Sequence, residues 1–265
     1  MRTTNTPLST NLVREFVIAG HGDLEKIRKM FAERPDLLNA AYAWTESDQE
    51  TAIQAAAQVG NVPIAEYLLE KGAPLEICTA AMLGSKEELE RRIRDNPDNI
   101  NSTGAHGIPL LTHAAWSGDL ELVQYLFRNG ATTGSSSALQ NAVTRGYYDL
   151  VVWLIENASP DLNAKNFQGK TPLSLAIERK QETIAQLLKD RQRIVRPDNL
   201  NRCPPSSSSA QVRGQTNQLK PREPVQGGQR RPSCSKHGPY DGPYCPECYG
   251  RAMNGEATSK TAPSS

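Results

Sequence analysis

The sequence has few of the features that mark a membrane protein or a disulfide-rich secreted domain. No apolar run reaches the roughly 20 residues that a membrane-spanning helix needs. Residues 1–11 lack the apolar stretch of a signal peptide. The five cysteines are an odd number in a long chain, and three of them lie close together near its end. This usage favours a reducing compartment over a disulfide framework. We therefore expect a cytoplasmic location, and a nuclear one is also compatible.

Catalytic motifs are missing as well. The chain has no G-x-S-x-G nucleophile elbow and no Gly-rich phosphate loop. Gly169-Lys170-Thr171 matches only the end of such a loop, and Ala164 stands where its first glycine would be. His21, His106 and His113 have no neighbouring cysteine or acid pattern that would indicate a triad. The sequence therefore predicts that the protein is not an enzyme.

Charge is close to balanced over the whole chain but unevenly placed. The formal net charge is +1. Residues 12–190 carry 17 basic against 24 acidic side chains, a net of −7, whereas residues 191–233 carry nine against two, a net of +7. An acidic body is thus joined to a basic segment.

A degenerate repeat runs through the acidic body. Most copies have a small-residue segment, a glycine, and then aliphatic residues at helical spacing, which indicates a helix, a turn and a second helix. The turn positions step irregularly along the chain, and the last copy has lysine there instead of glycine. The six copies are Leu12–Phe31, Thr51–Ala73, Leu75–Ile93, Pro109–Ala131, Ser137–Ala158 and Thr171–Lys189, with turn residues Gly22, Gly60, Gly84, Gly118, Gly146 and Lys180.

These copies resemble the ankyrin repeat, whose signature opens T-P-L-H-x-A. Thr171–Ala176 reads T-P-L-S-L-A and matches best, and Thr51–Ala56 is a weaker match. The resemblance covers residues 12–190. It implies an all-α ankyrin-repeat solenoid of about six helix–turn–helix units, in which each unit buries its apolar face against its neighbours.

In the ankyrin repeat, successive helix pairs are joined by projecting β-turn fingers. Residues 39–50, 101–108 and 163–170 are long enough to form such fingers. The connections at Gly72–Leu75 and Ala131–Ser137 are too short. The sequence therefore predicts three fingers.

The resemblance also implies a concave groove in which a protein partner docks. Trp116 follows a small-residue pair at a position that faces this groove in the family, so it is either a contact anchor or packed beneath a neighbouring loop. The residues predicted to contact the partner are Trp116, Met82, Leu83 and Arg145 on the groove face, and His106, Ile108, Phe167 and Gln168 on fingers.

The segments outside the repeats are predicted to be disordered. Residues 191–233 are rich in Ser, Pro, Gln, Gly and Arg and have no aromatics, so they cannot bury enough apolar surface to offset chain entropy. We interpret them as a basic linker. Residues 1–11 and 251–265 are expected to be disordered too.

A metal-ligand pattern follows the linker, within residues 234–250. Cys234, His237, Cys245 and Cys248 form a C-x2-H-x7-C-x2-C pattern, and two close pairs complete a tetrahedral Cys3His shell. The segment resembles a zinc knuckle or a minimal zinc ribbon, which implies one structural Zn²⁺. A redox pair at Cys245 and Cys248 and a chance cluster are the alternatives.

Together these patterns favour a non-catalytic interaction protein. The repeats would bind a protein partner through the groove and fingers, and the zinc module would supply a second contact. The alternative is a nucleic-acid-associated regulator, in which the basic linker and the zinc module contact RNA or DNA. The sequence carries no prediction of partner identity or oligomeric state.

Overall fold

The computed structural model describes residues 7–195, 233–234 and 238–239. The chain divides into two compact units, Met1–Pro204 and Pro205–Ser265. In the first unit, the described residues form twelve α-helices that pack in consecutive pairs, which we number repeats one to six. The helices are α1 Thr10–Gly20, α2 Leu24–Glu33, α3 Ala52–Val59, α4 Val62–Glu70, α5 Ile77–Met82, α6 Lys86–Asp95, α7 Leu110–Ala114, α8 Leu120–Arg128, α9 Ser135–Arg145, α10 Tyr148–Asn157, α11 Pro172–Glu178 and α12 Glu182–Val195.

The first helices of the repeats stack in a row, α1 on α3, then α5, α7, α9 and α11. Small buried residues face the contacts between them, including Ala55 and Ala56 in α3 and Ala80 and Ala81 in α5. Since small side chains let helix backbones approach closely, this row is the tightly packed spine of the solenoid. The predicted six-repeat helical fold is confirmed.

The turn inside each repeat has the conformation expected from its glycine, with one exception. Gly60, Gly84, Gly118 and Gly146 have φ between 70° and 79°, in the left-handed region. Lys180 replaces glycine in repeat six and still adopts a φ of 57°. Gly22 is the exception. It does not have a left-handed φ, and the first turn closes through N–H groups that donate to Ile18 and Ala19 instead.

Local capping explains where several helices begin. Thr51 and Gln54 form a reciprocal capping box at the start of α3. At the start of α11 the Thr171 hydroxyl accepts from the Ser174 N–H, and Pro172 occupies the first turn, where it needs no hydrogen-bond donor. The Thr-Pro signature of the last repeat is therefore a helix start signal.

The three predicted fingers are present and differ from one another. The first contains a β-hairpin, β1 Ala41–Thr45 paired antiparallel with β2 Asp48–Thr51, so the unit is not purely helical. The second includes 3-10 turns at Pro97–Asn101 and Ala105–Gly107 and an isolated bridge between Thr103 and Pro109. The third closes with the Asn166 N–H donating to the Lys170 carbonyl at 2.9 Å.

Two predicted boundaries need correction. Helix α1 begins at Thr10, because Ser9 caps it, so residues 10 and 11 belong to the folded domain. Helix α12 continues to Val195, five residues into the predicted linker. Arg191 pairs with Glu156 at 2.6 Å and Gln192 bonds to the Leu162 carbonyl, which fixes this last turn against repeat five.

The apolar core forms two clusters. One contains the buried residues of repeats one and two, and the other runs from Cys78 to Leu188 through repeats three to six. Helix α5 contributes to both, since Met82 packs into the first cluster whereas Cys78, Ala80 and Ala81 pack into the second. Repeat three therefore joins the two halves of the solenoid.

The second compact unit has two short described strands, β3 Ser233–Cys234 and β4 Gly238–Pro239, which pair antiparallel. Cys234 lies opposite Gly238 in this ladder. The rest of the predicted linker and zinc module, and residues 251–265, lie outside the described residues.

Candidate functional site

A groove of about 590 Å³ runs along the first helices of the solenoid, bounded by the second and third fingers. Its walls come from α3, α7, α9 and α11 and from both fingers. We call this surface the groove. It is lined by Gln58, Val59, Ile108, Thr112, Trp116, Ser137, Gln140, Asn141, Thr144, Arg145, Lys165, Asn166, Phe167, Gln168, Leu175 and Arg179.

Five of the eight predicted contact residues line the groove. They are Ile108, Trp116, Arg145, Phe167 and Gln168. Phe167 stands out because its side chain is 90 % exposed, at the tip of the third finger. Aromatic side chains of this size are usually buried in a folded protein, so an exposed one beside a groove is a strong contact candidate.

The prediction for Met82 was wrong. Met82 is 0 % exposed and packs into the core of repeats one and two, so it cannot touch a partner. Leu83 is half-buried, packs on the same core and does not line the groove. The reason is packing, because the Met82 side chain fills space in the apolar core of repeats one and two, whereas Trp116 at the equivalent position of repeat four lines the groove.

His106 lies on the second finger, as predicted, but it faces the hairpin rather than the groove. Its Nδ1 is 2.6 Å from Asp48 Oδ2, and its backbone N–H donates to Asp48 Oδ1 at 3.0 Å. His106 holds a left-handed φ of 58°, a costly conformation for a residue with a Cβ, which the two bonds to Asp48 stabilise. The hydrogen bond from His106 lowers the pKa of the Asp48 carboxyl.

Trp116 is half-buried and lines the groove while also packing against a distant repeat. Its indole Nε1 donates to the Gln58 carbonyl at 2.9 Å. A Cβ on Gly60 would come within 2.6 Å of the Trp116 ring, so only glycine fits beneath it. Trp116 is therefore packed against repeat two and also lines the groove, and its role as a contact anchor stays a prediction.

Arg145 completes this contact. Its guanidinium lies 5.3 Å from the centre of the Trp116 ring, and Nη2 donates to the Gly60 carbonyl at 2.5 Å. A cation over an indole face is favourable by about 1 kcal/mol at an exposed site. Arg145 and Trp116 thus connect repeats five, four and two on the groove wall.

Repeats four and two also meet at His113 of α7, whose Nδ1 lies 3.2 Å from the Ala57 carbonyl of α3. Thr79 holds the corresponding position in α5 and is smaller than histidine.

The groove is basic in an acidic domain. Arg145, Lys165 and Arg179 line it, and its lining includes no acidic side chain. Lys165 and Arg179 are exposed, and neither makes a salt bridge with any residue in the described part of the chain. The nearby Glu178 is instead paired with Lys170 at 2.6 Å. The groove lining therefore carries three positive charges and no carboxylate.

Lys165 and Arg179 were not predicted as groove residues from the sequence, although the repeat pattern indicates Arg179. Arg145 and Arg179 each directly precede the turn residue, Gly146 and Lys180, of successive repeats. Equivalent positions in stacked repeats lie on the same face, so selecting Arg145 also selects Arg179. Lys165 lies on the irregular third finger, where no periodicity applies.

A second polar cluster surrounds Glu50, which is 0 % exposed. Trp44 Nε1 donates to Glu50 Oε2 at 2.8 Å, His106 Nε2 is 3.5 Å from the same carboxylate, and His21 Nε2 is 3.6 Å from Oε1. The cluster ties α1, the hairpin and the second finger together. Across the described residues, no group of three or more His, Cys, Asp or Glu has an arrangement that could hold a metal ion.

Cys78 and His113 are buried, and both side chains are uncharged at neutral pH. Burial raises the pKa of the Cys78 thiol to about 12 and lowers the pKa of His113 to about 4. At neutral pH the thiol is therefore protonated and the imidazole uncharged. Neither residue is exposed to a substrate.

The predicted zinc ligands cannot be placed together. Cys234 lies in β3, whereas His237, Cys245 and Cys248 fall outside the described residues. The zinc site thus stays a prediction. Over the part of the chain that is described, no helix has the length and apolarity needed to cross a bilayer.

Two sequence families match the first compact unit. The family described as Ankyrin repeats (3 copies) matches residues 111–198, and the family described as Ankyrin repeat matches residues 48–80. The fowlpox virus (strain NVSL) protein FPV014, whose name describes it as an ankyrin repeat protein, is 30% identical to this chain over 110 residues. That match covers 39% of this chain and 25% of the viral protein, so it spans about a quarter of the relative's length.

Proposed function

Because residues 48–80 and 111–198 of this chain are ankyrin repeats, we propose that the protein is a non-catalytic module that binds a protein partner in the groove. Ankyrin repeats generally mediate protein–protein interaction, and neither family match is to an enzyme. The fold alone does not define a function, so the proposal rests on the residues that line the groove.

The exposure of Phe167 is the observation that carries this proposal. Its 90 % exposed ring lines the same groove as Ile108 and Trp116, and this groove spans several repeats. Burying an exposed aromatic ring of this size under a partner gains about 2 kcal/mol from apolar area alone. A rigid wall behind it, fixed by Trp116 and Arg145, keeps the ordering cost of binding low.

A peptide-display selection against the full chain tests the groove assignment. Ligands from a random peptide library should bind wild type and lose about tenfold or more in affinity to Phe167→Ala, because that change removes the exposed anchor. Tyr148→Ala is the matched control, since Tyr148 is 42% exposed and lies outside the groove. Ligands that bind Phe167→Ala as tightly as wild type would show that the groove is not the docking surface.

The zinc module is proposed as a second contact on the same chain. The ligand spacing supports it, and so does the pairing of Cys234 with Gly238, which brings the backbone back beside the first ligand. Three thiolates and one imidazole leave no open coordination position, so this zinc would be structural.

Native mass spectrometry of the full chain checks the metal. We expect one bound Zn²⁺ in wild type and none in Cys245→Ser/Cys248→Ser, because two of the four ligands are removed. Equal zinc content in the two proteins would show that these cysteines are not ligands. A metal-free wild-type protein that takes up no added zinc would contradict the whole site.

A further inference from the structure

We propose that the groove binds an extended, acidic segment of the partner protein. The inference rests on the proposed function, because the groove must first be a protein-binding surface. It adds the chemistry of the ligand, namely carboxylates placed to meet Lys165, Arg179 and Arg145, with an apolar side chain against Phe167.

The unpaired cations of the groove support an anionic ligand. Lys165, Arg179 and Arg145 line one groove whose lining includes no acidic side chain, and neither Lys165 nor Arg179 forms a salt bridge with any described residue. Arg145 is held over Trp116 and bonded to a carbonyl oxygen, so its charge is also uncompensated by an acid. A carboxylate-bearing ligand would supply the missing counter-charges.

The stacking of the repeats sets the spacing of the ligand carboxylates. Arg145 is the last residue of α9 and Arg179 directly follows α11, and these two helices pack side by side. Neighbouring helices lie about 10 Å apart, and an extended chain rises about 3.3 Å per residue. Two acidic residues about three positions apart would therefore meet the two guanidinium groups.

Two observations favour a peptide over a nucleic acid. The domain as a whole carries a net −7 over residues 12–190, which repels a long polyphosphate chain at every phosphate outside the groove. Charges separated by more than about 8 Å are largely screened, so a short acidic peptide feels mainly the groove cations. Moreover, the Trp116 ring already contacts Gly60 and Arg145, which leaves Phe167 as a single stacking platform where single-stranded binders use several.

The charge of the linker argues against a ligand from this chain's own linker. Residues 191–233 carry nine Lys/Arg and two acids, so the groove cations repel this segment. The ligand therefore comes from another protein.

The composition of ligands selected from a random dodecapeptide display library tests the inference. Peptides that bind wild type and lose binding to Phe167→Ala should be enriched in Asp and Glu. If such groove-dependent peptides have no acidic bias or are enriched in Lys and Arg, the acidic ligand is wrong while the protein-binding groove stands. If the selected peptides ignore Phe167→Ala, the groove assignment itself fails.

Charge-neutralising variants sharpen the test. Binding of one selected acidic peptide to the full-length variants is measured by fluorescence anisotropy. Lys165→Gln/Arg179→Gln should weaken binding roughly tenfold, since two exposed ion pairs are lost. Arg94→Gln/Lys189→Gln removes the same two residue types at exposed, unpaired positions away from the groove and should change affinity less than about twofold. An equal loss in both variants would indicate non-specific attraction and overturn the proposal.

Two further probes separate the ligand classes. The same peptide with Gln in place of each Glu, and Asn in place of each Asp, should bind at least about tenfold more weakly than the acidic form. An oligouridylate RNA should not compete. If the RNA binds more tightly than the acidic peptide, and does so through Lys165 and Arg179, the groove is a nucleic-acid site and the acidic-peptide proposal is wrong.

Discussion

At the scale of single residues, the turn positions were the most predictable feature of this chain. The steps between small-residue pairs and aliphatic stripes located Lys180 as a turn residue even though it is not glycine, and its φ of 57° confirms this. The Lys180 N–H donates to Ile177 and the Gln181 N–H to Ala176, the same two bonds that close the turns at Gly60 and Gly146. Hydrogen bonding and packing therefore impose the left-handed conformation on a residue that disfavours it.

Lys180→Gly should consequently stabilise the protein. A left-handed residue with a Cβ costs about 1 kcal/mol, which glycine avoids, although glycine also loses more backbone entropy on folding. We expect a net gain of about 0.5 kcal/mol and a melting temperature higher by about 1–2 °C. Lys189→Gly, the same change inside α12, should destabilise by about 1 kcal/mol. A lower melting temperature for Lys180→Gly would contradict the strain argument.

His113 makes stability depend on pH. Burial lowers its pKa from 6.5 to about 4 in the folded state. Between these two pH values the unfolded chain binds a proton that the folded protein does not. The contribution of His113 to the free energy of unfolding is therefore complete above pH 6.5 and falls as pH decreases. Urea titrations at pH 7 and pH 5 should show a loss on the order of 2 kcal/mol from this group.

His113→Asn provides the control for that titration. Asn141 occupies the equivalent position in repeat five, where its Nδ2 donates to the Thr112 carbonyl at 3.0 Å, so asparagine suits the site. The variant should lose most of the difference between pH 7 and pH 5. If its unfolding free energy falls with pH as much as that of wild type, another group is responsible.

At the scale of elements, finger length was predictable and finger conformation was not. Counting residues between repeats correctly gave three long connections and two short ones. The hairpin in the first finger has long-range contacts that spacing does not reveal, chiefly those of Glu50 with His21 and His106 and the bonds between Asp48 and His106. Met82 was wrongly predicted to face the groove for a similar reason, because the repeat pattern does not show that its side chain packs into the core of repeats one and two.

The first two fingers should be coupled through Asp48. Asp48→Ala removes both hydrogen bonds to His106, whose left-handed backbone then lacks its support. Hydrogen–deuterium exchange should become about tenfold faster at the Gly104 and Ile108 amides, which belong to the second finger. Glu46→Ala removes an exposed carboxylate from the same hairpin and should leave these rates unchanged. Unchanged exchange in Asp48→Ala would show that the second finger is rigid without the hairpin.

At the scale of the whole molecule, the six-repeat solenoid was predictable because stacking repeats need only short-range patterns. The division of the core into two clusters was not, since it depends on which side of α5 each side chain enters. Met82 and Trp116 both pack on the cluster of repeats one and two, although Trp116 belongs to repeat four. These two residues join the halves of the solenoid, together with the contacts of His113 with Ala57 and of Arg145 with Gly60.

Trp116→Ala should therefore uncouple the two halves. Removing a half-buried indole and its hydrogen bond to Gln58 costs about 2 kcal/mol, concentrated at one junction. Urea unfolding of the variant, monitored by hydrogen exchange, should show two transitions instead of the single transition of wild type. Repeats one and two should open first. Tyr148→Ala, on the surface, should leave the single transition intact. A uniform loss of stability across all repeats would contradict the junction role.

The contact between Arg145 and Gly60 also bears on how such a chain can change in evolution. Repeat arrays commonly gain or lose whole copies, because each copy contacts only its neighbours. Here the hydrogen bond between Arg145 and Gly60 joins residues 85 positions apart, across repeats three and four. Inserting or deleting a copy between them would change the distance between the Arg145 guanidinium and the Gly60 carbonyl and break this hydrogen bond. The bond therefore constrains copy number in the middle of the array. Duplication beyond repeat six would leave this bond intact, and no hydrogen bond of similar span reaches repeat six among the described residues.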